Sequence, residues 1–390
     1  MKTERKNLFT ISNLSERERK NLEIFDLMTR RGAVSRTDIS KETGINMVSV
    51  AHYIKEFIDK GLVLETGLDV SSGGRKPELI ELESKNRIMG IDIGLTEARA
   101  TLTDMLIRVT EKVNIPFRHT GEREIADHSL KLIEGLLKKS GQSKDSISAI
   151  GVGVTSEALF PLAGAIEEAF GKRTFIARNY FCAAFGEKAL NPKAADRDIL
   201  YVHSDLGVGV VIIKNGIVLG PAAEGEGAII SDDNSFRKGE GSISEKTKYL
   251  RPWGSNLEIA KTARREVARG VGTKIVAIVK GDIDSISMDS VIEAAKNGDQ
   301  VASEIVASAG INLGLRIAYL INLFYPQIVV VGGGTEKAED LVFGPIKKMV
   351  ERLALEKKSG SLEIAPGALG EDSVSLGAAS LAAREMFLRA

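Results

Sequence analysis

The chain has 390 residues, of which 43% are hydrophobic and 27% are charged, and its 53 Lys and Arg residues balance its 53 Asp and Glu residues. This length predicts two or three domains. Because the net charge is zero, it gives no support for nucleic-acid binding. One cysteine, Cys182, excludes a disulfide framework and a cysteine-rich zinc site. No apolar run reaches the ~18 residues that cross a membrane, and the N-terminal MKTERKNLFT lacks a secretory apolar core, so a cytoplasmic protein without membrane contact is expected.

The N-terminal region predicts short helices with recognisable ends. Residues 18–30 predict a first helix. Two amphipathic helices follow, joined at Gly44, which can adopt the left-handed conformation that ends a helix. Ser35 and Asn46 are predicted to cap them, because their side-chain oxygens can accept backbone N–H groups of the first turn. The residues expected to form a small core between these helices are Ile39, Ile45 and Val50.

The second of the two helices has the layout of a recognition helix. Its apolar residues, from Val50 to Ile58, repeat at i, i+4, i+7 and i+8, and polar side chains occupy the other face. Such a helix can enter a DNA major groove. Each polar residue also has a simpler explanation that involves no DNA. Asn46 can serve purely as the helix cap, and His52 can be a solvated surface residue. The residues predicted to contact DNA from the helices are Arg36, Asn46, Met47, Ser49, His52 and Lys55.

A β-hairpin is predicted after the helices. The runs 62–65 and 79–82 are strand-like, and a Gly-Gly pair lies between them. This order indicates a winged helix-turn-helix, whose tip residues Arg75 and Lys76 can reach phosphates or a minor groove. A solvated basic loop is the alternative for these two residues. The first 76 residues carry 14 Lys and Arg against 11 Asp and Glu, which fits a DNA-binding domain without demanding one.

From Arg87 onward, strands alternate with helices in two successive series, which predicts an α/β class with two similar lobes. A hairpin turn is predicted at Asn215-Gly216, a long loop over 223–253, and a helix cap at Asp289. The first series comprises strands 88–93, 98–102, 107–113, 147–154 and 174–176 with helices 125–139, 163–170 and 181–188. The second comprises three strands within 199–220, strands 327–331 and 362–365, and helices 257–269, 289–297, 300–323, 341–355 and 375–387.

Glycine clusters directly follow strands at three places. They are Gly94 after Asp92, Gly207 with Gly209, and the run 332–334. Glycines at the end of a strand expose backbone N–H groups where phosphates bind. Tight turns need glycine for steric reasons alone, so one such cluster is weak support. If the chain were an ATP-handling enzyme, Asp92 beside the first of these clusters would be expected to hold the Mg²⁺-nucleotide.

The whole chain resembles the repressor branch of the ROK family of repressors, open reading frames and sugar kinases. The resemblance rests on the helix-turn-helix ahead of GIDIG, and on GVGV, GVGVVIIKNG, INLFYPQIVVVGGG and LGAA in that order. It implies a winged helix-turn-helix followed by a two-lobed actin-like ATPase (ribonuclease H-like) fold. The implied domains are 1–84 for DNA binding, 87–196 with 375–390 as first lobe, and 197–374 as second lobe with dimerisation and an effector cleft.

The resemblance also implies that the kinase chemistry is lost. Sugar kinases of the family carry a segment close to Asn-Asp-x-Asn-Ala-Ala-x-x-Gly-Glu, whose Asp is the general base. Here the segment reads RNYFCAAFGE, and Asn179 stands at the position of that Asp. An amide cannot take up a proton at neutral pH, and loss of a positioned base costs ~10²–10⁴-fold in rate.

Other parts of the family pattern are also absent. Residues 155–160 run almost directly into the next helix, where the family has a sugar-contacting loop. Glu226 matches the family's sugar-binding Glu, but the zinc-binding His and the cysteines after it are missing. Asp205 precedes Gly207 where the family has Thr, and an acid there would repel phosphates. No metal or cofactor is therefore expected, and the remaining glycines are better explained as retained turns.

These features predict a DNA-binding transcriptional regulator, in the first place a repressor, with a catalytically inactive kinase-like body. The expected partners are a double-stranded DNA operator, further copies of the chain in a homodimer or higher oligomer, and a small-molecule effector, either a sugar or another compound. An active ATP-dependent sugar kinase with a regulatory N-terminal domain is the alternative, and a regulator that no longer senses sugar is a third. The residues assigned to an effector or nucleotide cleft are Asp92, Gly94, Asn179, Asp205, Gly207, Gly209, Glu226, Gly332, Gly333 and Gly334.

Overall fold

The structure is a computed structural model that describes residues 14–68, 78–94, 97–116, 122–205, 207–219, 254–355 and 362–390. The chain forms two compact units. Unit 1 comprises Met1–Ala189 with Val374–Ala390, and unit 2 comprises Leu190–Ser373. The division into three domains at the predicted boundaries stays a prediction.

The N-terminal helices begin and end as the capping residues predict. The Ser35 hydroxyl accepts the Asp38 N–H at 3.1 Å, and Asn46 Oδ1 accepts the Ser49 N–H at 2.9 Å. Gly44 has φ 71°, in the left-handed region, and ends the preceding helix. The helices are α1 (Glu16–Arg31), α2 (Arg36–Thr43) and α3 (Met47–Asp59). Their buried core includes Ile39, Ile45, Val50, Ile54 and Phe57, so the predicted small core is confirmed.

A three-stranded sheet completes this region. The predicted hairpin is present, and its two strands pair antiparallel, with Glu65 opposite Ile80. A short strand ahead of α2 adds to the same sheet, with Val34 opposite Ile80, and was not predicted because two residues carry no periodicity. Its strands are β1 (Val34–Ser35), β2 (Val63–Leu68) and β3 (Glu78–Leu82). The three helices and this hairpin make a winged helix-turn-helix.

The α/β part of unit 1 is built on a five-stranded sheet in the order β6-β5-β4-β7-β8. Its first three strands form an antiparallel meander, and the last two run parallel to β4. The strands are β4 (Arg87–Ile93), β5 (Glu97–Thr103), β6 (Val109–Pro116), β7 (Ile147–Val154) and β8 (Thr174–Arg178). The helices are α4 (Glu122–Ser140), α5 (Leu162–Phe170) and α6 (Asn179–Leu190).

Unit 2 repeats the same plan with a five-stranded sheet in the order β11-β10-β9-β12-β13. Its first three strands are again antiparallel, and the last two are parallel to β9. The strands are β9 (Ile199–Ser204), β10 (Val208–Lys214), β11 (Ile217–Leu219), β12 (Ile328–Gly332) and β13 (Glu363–Pro366). The helices are α7 (Asn256–Ala268), α8 (Ile275–Ile278), α9 (Met288–Lys296), α10 (Gln300–Phe324) and α11 (Asp340–Leu353), and α12 (Ser373–Leu388) follows.

The repeated strand order confirms the predicted α/β class with two similar lobes. The hairpin turn is also as predicted, because Asn215 and Gly216 both have positive φ, at 51° and 72°. The predicted cap at Asp289 is wrong. Ser287 caps α9, with its hydroxyl 3.3 Å from the Ser290 N–H, because the helix begins one residue earlier. The loop predicted over 223–253 lies outside the described residues, apart from its end.

Among the described helices, α10 alone is long and apolar enough to cross a membrane by length and composition. Within its most apolar window, however, 56% of the helix is buried inside the protein. Its buried side includes Leu313 and Ile317 in the core of unit 2. This is the behaviour of a core helix, and the composition alone gives weak support for a membrane span.

Helix α12 lies directly on the sheet of unit 1, because glycines allow its backbone to come close. A Cβ added at Gly90 would lie 1.8 Å from the Ser375 carbonyl oxygen, and one at Gly151 would lie 1.9 Å from that of Ala378. Neither glycine could be replaced by a residue with a Cβ unless the backbone moved. Two glycines of the predicted GIDIG and GVGV motifs are thus explained by helix–sheet packing.

Gly377 in α12 faces α6 equally closely, and Gly377→Ala is expected to destabilise unit 1 by about 1–3 kcal/mol. An added Cβ would lie 1.7 Å from the Cys182 carbonyl oxygen, so the two helices must separate. Gly135→Ala in α4 is the control, because its Cβ would meet nothing within 4 Å. The control should gain about 0.5–1 kcal/mol from helix propensity. Urea unfolding of both variants measures the difference, and equal stabilities would contradict this packing.

Candidate nucleic-acid interface

Helix α3 is fixed on one side and open on the other. Val50, Ile54 and Phe57 are fully buried, so the helix cannot rotate without emptying the core. The opposite face is exposed and carries Met47, His52 and Lys55, while Ser49 is half-buried. Asn46 is exposed at the N-terminus and serves as the cap. The predicted DNA-contacting residues of α3 therefore lie together on an accessible surface at the start and middle of the helix.

Two exposed apolar or small residues lie among them and were not predicted. Val48 is 82% exposed, and Ala51 is exposed one turn later. A valine this exposed makes almost no contribution to the core, while methyl groups on a recognition helix can contact the methyl group of thymine. In the sequence, Val48 could have been noticed as an apolar residue that lies outside the buried stripe of a regular amphipathic helix.

Some of the residues predicted to contact DNA form ion pairs within the protein. Arg36 pairs with Glu65, and its Nη1 lies 3.5 Å from Glu78 Oε2, so both wing strands neutralise its guanidinium. His52 Nε2 lies 3.5 Å from Glu56 Oε1. Lys55 is exposed and forms no ion pair with the other described residues. Among these side chains, Lys55 is best placed to meet a phosphate without first breaking an ion pair.

Arg75 and Lys76 of the predicted wing tip lie outside the described residues. The strands on either side, β2 and β3, are described and pair antiparallel. The proposed contact of these two residues with DNA therefore stays a prediction.

A polar groove of about 410 Å³ borders the turn between α2 and α3. Arg19 and Lys20 of α1 line it opposite Asn46 at the start of α3. Lys20 pairs with Glu16 at 2.6 Å, whereas Arg19 is exposed. Glu16 and Glu23 of the same helix also line the groove, so basic and acidic side chains balance there.

The end of α12 packs into the winged helix-turn-helix. Phe387 is fully buried, with its ring centroid 4.6 Å from that of Phe25 in α1 and 5.0 Å from that of Phe57 in α3. Aromatic pairs at this separation add stability beyond the area that they bury. The last helix of the chain therefore completes the core behind the recognition helix.

Polar contacts surround this aromatic cluster. Asn21 Nδ2 donates to the Phe387 carbonyl oxygen at 3.0 Å, and Arg384 Nη1 lies 3.2 Å from Asp26 Oδ1. The Ala390 carbonyl oxygen accepts from Arg17 Nη2 at 2.8 Å and from a lysine at the end of α3. Both α1 and α3 are thus held by the same short segment. Because α12 also lies on the sheet of unit 1, the recognition helix and that sheet share one rigid support.

The capping group of α2 has a measurable electrostatic signature. The Ser35 hydroxyl donates to Asp38 Oδ2 at 2.6 Å, and the Ser35 N–H donates to the same oxygen at 3.1 Å. Hydrogen bonds from the Ser35 hydroxyl, and then from its backbone N–H, hold the pKa of Asp38 below its ordinary value. The ionised carboxylate is therefore favoured by folding.

Asp38→Ala is expected to cost about 1 kcal/mol at pH 7, the usual value of a lost capping interaction. Since the folded pKa of Asp38 is lowered, its contribution is present above the unfolded pKa and is lost as pH falls through the folded one. The difference between wild type and variant should therefore shrink below about pH 4. Thermal unfolding from pH 7 to 2 measures it, with Asp59→Ala at the exposed end of α3 as control. A difference that does not change with pH would contradict the assignment.

The residues assigned to a cleft divide between the two units. In unit 1, Asp92 on β4 pairs with Gly153 in the neighbouring strand, and a Cβ at Gly94 would lie 2.9 Å from the Glu97 carbonyl oxygen. Asn179 is buried, and its side-chain oxygen accepts the Tyr180 N–H at 2.8 Å at the start of α6. Asn179 thus lies at the first position of α6 with its amide oxygen engaged by the next backbone N–H.

In unit 2 the glycines meet at the end of β9. Gly209 and Gly332 both pair with His203, and the Gly207 carbonyl oxygen accepts the Asp205 N–H at 3.0 Å. Burial lowers the pKa of His203 to about 4, so the ring carries no charge at neutral pH that could bind a phosphate. Glu226 lies outside the described residues.

The run from Gly332 to Gly334 is explained by close packing. A Cβ at Gly332 would lie 2.5 Å from the Tyr201 hydroxyl, and one at Gly333 would lie 2.5 Å from the Ser204 carbonyl oxygen. Gly333 and Gly334 also have φ of 88° and 103°, which other residues rarely adopt. The turn needs these glycines whether or not a phosphate binds. Among the residues that the structure describes, no group of His, Cys, Asp and Glu is placed to hold a metal ion.

A family profile described as ROK family matches residues 88–227 and 267–385. Two named relatives match over most of the chain. A xylose repressor of Caldicellulosiruptor bescii is 24% identical over 90% of this chain and 92% of its own length. The DNA-binding transcriptional dual regulator NagC of Escherichia coli K12 is 24% identical over 93% of this chain and 92% of its own length.

Solved structures show the same fold at low identity. A ROK family transcriptional regulator, a homologue of the E. coli MLC protein, has a TM-score of 0.73 at 20% identity and covers 95% of this chain. Its own chain is covered to 96%. A ROK family glucokinase from Streptomyces griseus, in complex with glucose and AMPPNP, has a TM-score of 0.64 at 23% identity. It covers 76% of this chain, although 99% of the glucokinase chain is matched.

Proposed function

This chain belongs to the ROK family, and from that membership we propose that it is a DNA-binding transcriptional regulator, specifically a repressor that binds its operator as a homodimer in the cytoplasm. One observation carries the proposal. Helix α3 is fixed by a fully buried stripe and presents an exposed face of DNA-contacting residue types at the end of a winged helix-turn-helix. Asn46 also caps the helix, whereas Val48 on the same face is 82% exposed and contributes little to the core.

The family relatives support the same function. The two named relatives that match about nine tenths of the chain are a xylose repressor and a transcriptional regulator. The glucokinase is matched almost completely, yet about a quarter of this chain has no counterpart in it. A regulator therefore fits the whole chain, while a kinase fits only part of it.

We further propose that the kinase-like body has no catalytic activity. Asn179, at the position of the family's general base, is an amide whose oxygen is engaged by the Tyr180 N–H. A kinase would need a substitute base, for which the sequence offers the acids Asp205 and Glu226, and neither matches the position of the family's base. The body then serves oligomerisation and the binding of a small-molecule effector, a sugar or another compound. A thermal-shift screen with sugars and nucleotides tests the effector, because a ligand of the folded state raises Tm.

Lys55→Ala provides the direct test of DNA binding. If Lys55 meets a phosphate, the variant should bind every DNA sequence more weakly, and the slope of log K against log salt should fall in magnitude by about 0.9. The control is Lys347→Ala, because Lys347 is an exposed lysine on α11 of unit 2, outside the winged helix-turn-helix. Unchanged affinity and slope in Lys55→Ala would argue against this placement of the DNA.

An active sugar kinase with a regulatory N-terminal domain is the competing proposal, since glucokinases share the fold. A coupled assay with ATP and a panel of hexoses and N-acetylhexosamines separates the two. We expect no turnover above the rate without enzyme. Turnover that is lost in the Asp205→Asn variant would overturn the proposal that the kinase-like body is inactive.

A further inference from the structure

The exposed face of α3 is apolar over its first two turns. Met47 is 46% exposed, Val48 is 82% exposed, and Ala51 is exposed beside them. Residues three and four positions apart are neighbours on a helix surface, so these side chains form one patch. We define the α3 methyl patch as Met47, Val48 and Ala51. In a recognition helix the N-terminal residues contact base edges, and the patch occupies these positions.

Helix α3 lacks the side chains that read purines through paired hydrogen bonds. Its sequence, MVSVAHYIKEFID, contains no Arg, Asn or Gln, which are the usual readers of guanine and adenine. Asn46 precedes the helix, but its amide oxygen already accepts the Ser49 N–H at 2.9 Å. His52 Nε2 lies 3.5 Å from Glu56 Oε1. Direct readout of bases by α3 therefore falls mainly to the patch.

Lys55, the one Lys or Arg in α3, lies too far along the helix to take over this role. It follows Val48 by seven residues, which is about 10 Å along the helix axis and about three base-pair steps of DNA. A cation at that distance meets a phosphate or a base pair outside the patch. Lys55 therefore does not decide which bases the patch accepts.

Val48 is preorganised for a contact in the groove. The buried residues Ile45 and Val50 fix the backbone at the start of α3. A β-branched valine in a helix has one strongly preferred χ1 rotamer. Its two γ-methyl groups therefore lose little conformational entropy when they meet another surface. Because Val48 is 82% exposed, most of this apolar surface faces water in the free protein.

We infer that the α3 methyl patch reads the 5-methyl groups of thymine in the major groove. Among the four standard bases, only thymine presents a methyl group there, and apolar side chains contact it. A G·C pair beneath the patch would lose water from its hydrogen-bonding groups and gain no partner, which is unfavourable. Neighbouring Cβ atoms in the patch are about 5–6 Å apart, close to two base-pair steps, so each half-site should place one or two thymines beneath it. This inference rests on the proposed function, since it needs DNA in contact with α3.

Replacement of thymine by uracil tests the inference, because it removes the methyl group and keeps every hydrogen-bonding group of the base. The probe is a duplex that the full-length protein enriches from a random pool, with one thymine in each half-site replaced by deoxyuridine, one position at a time. At one or two positions uracil should weaken binding about fourfold per half-site, or about 15-fold for both, as expected for the loss of one buried methyl group. Fluorescence anisotropy measures the affinity.

Val48→Ala assigns the effect to this side chain. The variant lacks both γ-methyl groups, so the uracil penalty at the position beneath Val48 should fall from about 15-fold to about twofold or less. Alanine favours a helix more than valine does, so the fold should be preserved, and thermal unfolding checks this. Val109→Ala is the matched control, because it changes a 47% exposed valine on β6, outside α3, and should keep the full penalty.

A methyl group on cytosine separates the reading of methyl groups from the recognition of groove shape. At the position sensitive to uracil, a C·G pair in place of T·A should weaken binding. Use of 5-methylcytosine, which carries its methyl group at the same ring carbon as thymine, should restore about fourfold per half-site. Recognition of A·T pairs by groove shape predicts instead that thymine and uracil duplexes bind equally.

Three results would overturn the inference and leave DNA binding itself intact. They are equal affinity for thymine and uracil at every position, a uracil penalty that is unchanged in Val48→Ala, and equal affinity for cytosine and 5-methylcytosine at the sensitive position. Failure of wild type to enrich any sequence would refute the proposed function and this inference together.

Discussion

Phe387→Ala is expected to destabilise unit 1 by about 3–5 kcal/mol, because it removes a large aromatic side chain from a closed core. The ring of Phe387 is fully buried between Phe25 and Phe57, so its removal leaves a cavity directly behind the recognition helix. Because domains of this kind are stable by only about 5–15 kcal/mol, α1 and α3 should lose much of their protection. Operator affinity should fall in parallel, although Phe387 lies in the core behind α3.

Hydrogen exchange measures this effect locally, which matters because a chain with two units need not unfold in one step. In Phe387→Ala, exchange should accelerate in α1 and α3 and remain unchanged in α10 of unit 2. Leu388→Ala is the matched control, since Leu388 is only half-buried beside the same cluster and should accelerate exchange far less. Equal exchange in the Phe387 variant and wild type would show that α12 does not support the winged helix-turn-helix.

Val48→Glu is expected to reduce operator affinity by roughly 100-fold, on the scale of the 1–3 kcal/mol that one disrupted base pair contact costs. The substitution places a negative charge on the face of α3 that would enter the groove, against the charge of the phosphates. Val48 is 82% exposed, so the folding free energy should stay within about 0.5 kcal/mol of wild type.

Titration of a labelled operator by fluorescence anisotropy gives the affinity, and thermal unfolding confirms an intact fold. Val48→Thr keeps the β-branched shape and one methyl group, so it should retain most of the affinity and serves as the control. Wild-type affinity in Val48→Glu would place the DNA elsewhere than on α3.

Local rules predicted much of the winged helix-turn-helix. Ser35, Gly44 and Asn46 indicate helix ends through their own side chains or backbone freedom, and all three act as predicted. The Asn215-Gly216 turn follows the same logic, because both residues can adopt positive φ. The prediction at Asp289 failed because an acid early in a helix is favourable at several positions, and the neighbouring Ser287 also satisfies the rule.

Contacts between distant parts of the chain could not be predicted. Asn21 and Phe387 are 366 residues apart in sequence, and nothing in either helix alone indicates that they meet. Gly94 was considered for phosphate binding, whereas Gly90 of GIDIG and Gly151 of GVGV were given no role, and the structure shows that these two glycines admit α12. Val48 was overlooked because it has no charge or hydrogen-bonding group, and only its exposure distinguishes it.

The most direct measurement of the central claim is selection of DNA by the purified full-length chain from a random pool. We expect enrichment of an inverted repeat with half-site centres about one helical turn, ~10 base pairs, or a multiple of it apart. Val48→Glu, run in parallel, should fail to enrich that sequence. No enrichment by wild type at low salt, or equal enrichment by the variant, would contradict the account of α3 as the element that recognises DNA.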